Sequence, residues 1–149
     1  MRTKEDCVAI LIVTWIMALI VCGVGHCESA YSETAVKTIA MESANQSDYG
    51  MYAVSSVIVN RSVDSNKTIK SVCLARKQFS CWNDKIWAKA WLDRFYTPEV
   101  RGRSVLALNK ALQDPIRGIN HYHSVKVKPY WAKGRKPSLI IGEHVFYKL

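Results

Sequence analysis

The pattern of apolar and polar positions divides the chain into an apolar leader and a mixed remainder. The run from Cys7 to Gly25 is apolar and is interrupted only by Thr14. It matches the roughly 20 residues that a membrane-spanning helix needs, and it ends in small residues that suit a cleavage site. The pattern predicts an exported protein in which residues 1–30 are a signal peptide or a signal anchor, with residues 8–25 in the membrane.

Residues 34–61 carry the pattern of two short helices joined by a polar link. Glu42 lies beside the apolar stripe of the first helix, whose members recur at helical spacing: Ala35, Val36, Ile39 and Ala40. Ser47 or Asp48 can cap a second helix, whose apolar period continues to Arg61. The pattern therefore places Glu42 near a helix-helix seam, where a carboxyl group loses water.

The rest of the chain predicts two more helices followed by short strands. Residues 62–70 are polar and are predicted to form a loop. One helix is predicted from Trp82 to Phe95, with most of its aromatic rings in the core. Another begins at Thr97 and stops at Asp114, ahead of a proline. Because the last third breaks into short aromatic and β-branched runs, the predicted class is α+β, mostly helical with short C-terminal β segments after an N-terminal apolar helix.

Length and charge limit the possible partners. Without the leader roughly 120 residues remain, which is enough for one domain and not for two, so residues 31–149 are predicted to be a single domain. The chain carries a formal net charge of +9, which suits nucleic acid, anionic lipid or an acidic cell wall. An exported chain seldom meets nucleic acid, so none is expected.

The cysteines raise a choice between a disulfide and a metal site. Of the five cysteines, Cys73 and Cys81 lie close together within the domain. An oxidising compartment favours a local disulfide between them, and a zinc site would need more ligands than the nearby histidines supply. We expect a possible disulfide, no metal and no cofactor.

Several short sequence motifs, in their order along the chain, resemble those of the bacterial and phage cell-wall hydrolase family that includes the spore-cortex-lytic enzymes. The motifs are I-A-x-E ending at Glu42, G-x-x-A-V-x-x-V-I-x-N-R ending at Arg61, Q-F-S-C-W at residues 78–82, D-P-I-R-G, P-Y-W-A, and I-G-E-H-V-F-Y at residues 141–147. The resemblance implies a lysozyme-like domain that cleaves the β-1,4 bond between N-acetylmuramic acid and N-acetylglucosamine in peptidoglycan.

Within that resemblance Glu42 is the expected catalytic acid, because a glycosidic oxygen must be protonated as its bond breaks. A hydrolytic muramidase needs a second carboxylate. Gln46 stands where a common form of the family has a second glutamate, which leaves Asp48 as a possible partner, or Asp64 or Asp84 further on. A lytic transglycosylase needs only one carboxylate and forms a 1,6-anhydro product, so that mechanism is the simpler expectation.

The resemblance also suggests residues that hold the sugars, through aromatic stacking and amide hydrogen bonds: Gln78, Asn83, His121, Tyr122, His123 and Trp131. Two rival functions stay open. One is a non-catalytic wall-binding module, and the other is a basic, membrane-associated interaction protein. For the enzyme we expect a monomer in the periplasm or on the inner membrane, similar to a phage endolysin of the signal-anchor-release type.

Overall fold

The computed structural model describes residues 32–149, and the predicted leader lies outside them. The described chain contains the helices α1 (Glu33–Ser43), α2 (Asp48–Ser65), α3 (Ile69–Leu74), α4 (Lys85–Phe95) and α5 (Pro98–Gln113). These are followed by the strands β1 (His121–Ser124), β2 (Leu139–Ile141) and β3 (His144–Tyr147). Short 3-10 turns occur at Ser80–Trp82 and Tyr130–Ala132. The α+β class, mostly helical with C-terminal β segments, is therefore confirmed for these residues.

The two predicted helices at the start of the domain are present, and the second is central to the fold. Ser47 caps α2 by accepting a hydrogen bond from the Gly50 amide at 3.2 Å, and Asn66 ends the helix in the left-handed conformation. Every residue from Gly50 to Val59 is buried. Such a stretch is buried on all sides because other elements surround it.

Two groups of buried side chains pack around α2. The larger group joins α1, α2 and α5 with the segment around Phe79. The smaller group joins α2 to the sheet through Ile119 and Phe146. Leu108 and Ala111 of α5 are fully buried, as its periodicity predicts. The helices and the sheet thus share one central element, and the described residues form a compact unit.

The three strands form an antiparallel sheet in the order β1-β3-β2. In the register of β1 and β3, Tyr122 lies opposite Phe146 and His123 lies opposite Val145. Successive strand residues point to opposite faces. Tyr122 and Phe146 therefore face the helices, whereas His123 lies on the other face.

Two expectations about the middle of the chain are wrong. The predicted loop at residues 62–70 is reduced to residues 66–68, because α2 continues to Ser65 and α3, which Thr68 caps, begins at Ile69. The helix at residues 85–95 forms, but it does not place its rings in the core. Ala88 is its one buried residue, while Ile86 is 85% and Trp87 47% exposed. Helical spacing identifies an apolar stripe but not the element that covers it.

None of the helices in residues 32–149 is both long and apolar enough to cross a membrane. The predicted signal peptide or anchor lies outside the described residues.

Candidate active site

Glu42 lies in the last turn of α1, where two groups from other elements hold its carboxylate. Its Oε1 atom accepts a hydrogen bond from the Cys81 amide at 3.2 Å. Its Oε2 atom accepts a hydrogen bond from the Tyr122 hydroxyl at 2.8 Å. The side chain is half-buried. One carboxylate is thus fixed where α1, the 3-10 turn at residues 80–82 and β1 meet.

Local contacts fix the 3-10 turn against α1. The Trp82 indole nitrogen donates a hydrogen bond to the Thr38 hydroxyl at 2.8 Å. Phe79, which precedes the turn, is buried in the main core. The turn is therefore anchored on both sides of Cys81, which keeps its amide aimed at Glu42.

Tyr122 is held on the sheet so that its hydroxyl reaches Glu42. Its ring lies 5.0 Å from His144 and 5.6 Å from Phe146, measured between ring centroids. Burial, together with the nearby Glu42 carboxylate, raises the pKa of Tyr122 well above its usual value. The hydroxyl thus keeps its proton at neutral pH and acts as a donor to Glu42.

His144 is a buried neighbour of this pair that the sequence did not single out. Its side chain is 8% exposed, and within residues 32–149 its Nδ1 atom has no hydrogen-bond partner. Burial lowers the pKa of His144, against the opposing effect of Glu42 and Glu143. The imidazole therefore lies within electrostatic reach of both carboxylates. His144 belongs to the motif at residues 141–147 that resembles the cell-wall hydrolase family, and that motif was the sequence signal that could have identified it.

Arg61 supplies a positive charge behind the site. Its Nε atom donates to the Asn120 carbonyl at 2.5 Å, and its guanidinium carbon lies 5.4 Å from the centre of the Phe79 ring. Burial lowers the pKa of Arg61, and the proximity of Tyr122 and Glu42 opposes that shift. Arg61, which lies one turn before the end of α2, is thus an electrostatic neighbour of the proposed acid.

The predicted sugar-binding residues fall into separate places. Gln78 and His121 line a cavity of about 270 Å³ together with Arg61 and Asn120. Asn83 is exposed after the 3-10 turn. Of the six residues, Tyr122 is the one hydrogen-bonded to Glu42.

The predicted histidines share one strand face, as alternation implies, and both contact Trp131. Ring centroids of His121 and His123 lie 5.5 and 5.6 Å from that of Trp131. His123 also stacks on Tyr147 at 5.4 Å. This aromatic group lies on the face of the sheet opposite Tyr122, so the structure separates His121, His123 and Trp131 from Glu42. Of these three residues, His121 is the one that lines the cavity containing Gln78.

Asp48 and Gln46 have structural partners. The Asp48 carboxylate pairs with Arg103 at 2.7 Å, and its side chain is 85% exposed. Gln46 is buried, and its Oε1 atom accepts a hydrogen bond from the Glu143 amide at 3.1 Å. Gln46 therefore ties the link between α1 and α2 to the turn between β2 and β3.

The predicted disulfide is not formed in the structure. Cys73 and Cys81 are free thiols, and both are buried in the main core. Burial raises the pKa of Cys73 to about 11 and also raises that of Cys81, where Glu42 adds to the effect. Protonated thiols are unreactive. Within residues 32–149 no group of three His, Cys, Asp or Glu side chains is arranged to hold a metal ion.

Comparison with known proteins identifies the family. A model of the family described as Cell Wall Hydrolase matches residues 45–147, beginning just after Glu42. The chain belongs to the cell wall hydrolase family. Membership in that family supports a peptidoglycan-degrading enzyme. A search of curated proteins found no match.

Two solved structures resemble this cell wall hydrolase. The catalytic domain of the SleB protein from Bacillus cereus matches with a TM-score of 0.59 and 21% identity, covering 79% of this chain and 92% of that one. The catalytic domain of a germination-specific lytic transglycosylase, SleB from Bacillus anthracis, matches with a TM-score of 0.59 and 22% identity, covering 79% and 97%. At this level of identity the similarity establishes a shared fold.

Proposed function

We propose that this cell wall hydrolase cleaves the β-1,4 bond between N-acetylmuramic acid and N-acetylglucosamine as a lytic transglycosylase, with Glu42 as its catalytic acid. The supporting observation is the single carboxylate held by the Cys81 amide and the Tyr122 hydroxyl. The named activity of the Bacillus anthracis structural neighbour adds support by analogy.

Glu42 first gives a proton to the glycosidic oxygen while the bond between that oxygen and C1 of the muramic residue breaks. The 6-hydroxyl oxygen of the same residue then bonds to C1 and returns its proton to Glu42. The product is a 1,6-anhydro sugar, and no water is consumed. One carboxyl group therefore serves as acid and then as base.

The two donors around Glu42 stabilise the state that follows proton donation. Hydrogen bonds to an ionised acceptor are roughly twice as strong as neutral ones. The Cys81 amide and the Tyr122 hydroxyl therefore hold Glu42 more firmly once its proton has moved to the leaving oxygen, which keeps the carboxylate in place to act as the base of the second step.

Sugar binding is proposed in the two cavities that flank the segment carrying the Cys81 amide. Gln78 borders the cavity of about 270 Å³, and Trp82 borders a second cavity between α1 and α4. The segment that carries the Cys81 amide thus has open space at both ends. We assign Gln78 and His121 to the N-acetylated sugars, and we place His123 and Trp131 outside the reacting centre.

A hydrolytic muramidase is the alternative function. It needs a second carboxylate, and Glu143 is a better candidate for that role than Asp48. Both carboxylates pair with a cation, Asp48 with Arg103 at 2.7 Å and Glu143 with Lys126 at 3.1 Å. Glu143 differs from Asp48 in that it acts electrostatically on His144 together with Glu42. If hydrolysis occurs, Glu143→Gln will abolish it and Asp48→Asn will not.

Mass spectrometry of the fragments released from purified peptidoglycan tests the proposal. A transglycosylase releases anhydro-muramyl ends, which are lighter by one water than reducing ends. Glu42→Gln should release neither product, whereas Asp48→Asn and Glu143→Gln should both release the anhydro form. Reducing ends from the wild type would reject the transglycosylase mechanism.

We also propose that the enzyme is exported, with residues 1–30 as a signal peptide or as a signal anchor of the signal-anchor-release type found in some phage endolysins. Fractionation of cells that express the full chain tests this. Full-length protein that is first in membranes and then free in the periplasm after the membrane potential collapses supports release. A shortened soluble form alone supports a cleaved signal peptide.

A further inference from the structure

Helix α4 turns its most apolar side away from the rest of the described domain. Ile86 is 85%, Trp87 47% and Phe95 45% exposed, and Trp91 is half-buried. The helix packs on α1 and the 3-10 turn through Ala88. A surface helix ordinarily does the reverse. We call the set Ile86, Trp87, Trp91 and Phe95 the outer face of α4.

Basic side chains lie on α4 beside the outer face and in the cleft that α4 forms with α1. Lys85, Lys89 and Arg94 belong to α4 itself. Lys37 joins two of these lysines around the cleft of about 480 Å³ between α1 and α4. The acids nearby have partners or caps. Asp93 pairs with Lys89 at 2.6 Å, Glu33 pairs with Arg101 at 3.2 Å, and Asp84 accepts from the first amides of α4.

We propose that the outer face of α4 docks on an anionic lipid surface, with its apolar side chains in the acyl boundary and its cations on the phosphates. Exposed Trp, Phe and Ile beside Lys and Arg are the composition of helices that lie in a membrane interface. The net charge of +9 adds a long-range attraction to such a surface.

The geometry favours lipid over a stacked sugar. A sugar platform needs a free, flat ring face. The Arg94 guanidinium covers Phe95 at 5.1 Å, and the Trp91 and Phe95 rings are tilted by 47°. The most exposed member, Ile86, has no ring. Disordered lipid chains accept such an irregular apolar surface. This docking is separate from the proposed catalysis, because α4 contributes no hydrogen bond to Glu42.

Hydrogen-deuterium exchange on the full chain tests the proposal. The protein is mixed with phosphatidylcholine vesicles that either contain or lack phosphatidylglycerol, so the leader is present in both samples. We expect amides of residues 85–95 to exchange severalfold more slowly with the anionic vesicles, and those of α5 to be unchanged. Lys85→Gln should weaken binding to the anionic vesicles about fivefold.

The variant Ile86→Ser with Trp87→Ser should abolish the protection of α4. Leu106→Ser is the matched control, because Leu106 is 69% exposed on α5. Both variants should keep the wild-type thermal midpoint and the wild-type rate of peptidoglycan cleavage, so a failed docking is distinguishable from a failed catalytic proposal.

Equal exchange of α4 on both kinds of vesicle would overturn the proposal, as would protection that survives in the Ile86→Ser, Trp87→Ser variant. Protection by isolated glycan strands but not by vesicles would reassign the face to sugar. Protection that grows with protein concentration in the absence of vesicles would reassign it to a second copy of the chain.

Discussion

At the scale of single residues, the site depends on one carboxylate and two donors of different kinds. The Cys81 donor is a backbone amide, so it is set by the 3-10 turn and not by the identity of a side chain. The Tyr122 donor is a hydroxyl, so one substitution removes it and leaves the ring in place. The two contributions are therefore separable by experiment.

Glu42→Gln should abolish peptidoglycan cleavage with little loss of stability, because the amide occupies the same space but cannot deliver a proton. The expected loss is at least about 10²- to 10⁴-fold, measured by release of fragments from purified peptidoglycan. Asp48→Asn, which removes an exposed ion pair with Arg103, is the control and should retain most activity. A rate for Glu42→Gln close to that of Asp48→Asn would reject Glu42 as the acid.

Tyr122→Phe should lower kcat about tenfold to a hundredfold, because a hydrogen bond to a charged group contributes roughly 1.5–3 kcal/mol. KM should change little, since the hydroxyl contacts Glu42 and not the described cavities. Tyr147→Phe is a matched control on the same sheet. Its hydroxyl bonds to His123 at 3.2 Å on the opposite face, so it should leave kcat unchanged. Equal losses in both variants would contradict the assigned role of Tyr122.

At the scale of elements, the sequence predicts the helix ends that capping residues define and the apolar stripes that helical periodicity defines. The caps of α2 and α5 and the buried stripe of α1 follow from local chemistry and are present. The burial of α4 was predicted wrongly, because periodicity does not say which side finds a partner. The same limit applies to the site: the bond from Tyr122 to Glu42 joins residues far apart in sequence, and no local pattern encodes it.

Glycine at position 142 is required by the contact between the β2-β3 turn and Gln46. A Cβ atom at Gly142 would overlap the Gln46 Oε1 atom, and the residue has a φ of +53°. Gly142→Ala should therefore destabilise the fold by about 2–4 kcal/mol, from overpacking added to backbone strain. Urea unfolding at constant m value measures the change in the free energy of unfolding.

Gly134→Ala separates the two contributions, because Gly134 has a φ of +74° and a Cβ atom added there would meet no other atom within 4 Å. It should cost about 1 kcal/mol from strain alone. Adding Gln46→Ala to Gly142→Ala should recover part of the stability that is lost through the overlap between the added Cβ atom and Gln46. Equal costs for Gly134→Ala and Gly142→Ala would show that Gln46 does not press on the turn.

At the scale of the whole domain, helices and sheet are coupled through buried groups near the site. Tyr122 and Phe146 of the sheet pack with residues of α2, and the buried His144 lies beside Tyr122. A charge placed on this imidazole would be buried between the helical core and the sheet. The stability of the domain should therefore respond to the protonation of His144.

The free energy of unfolding should fall as the pH is lowered from about 6.5 through the folded-state pKa values of His144 and His121. Burial lowers the pKa values of both His144 and His121 in the folded state, below the unfolded value of about 6.5. The unfolded chain therefore binds more protons between the folded pKa and about pH 6.5, so stability is fully present above that range and is lost below it.

His144→Gln should flatten this part of the profile even if it lowers stability at every pH, and His121→Gln combined with it should flatten the profile further. Urea unfolding across the pH range gives the slopes, and a slope in His144→Gln equal to that of the wild type would show that His144 is not the group that couples the sheet to the helices.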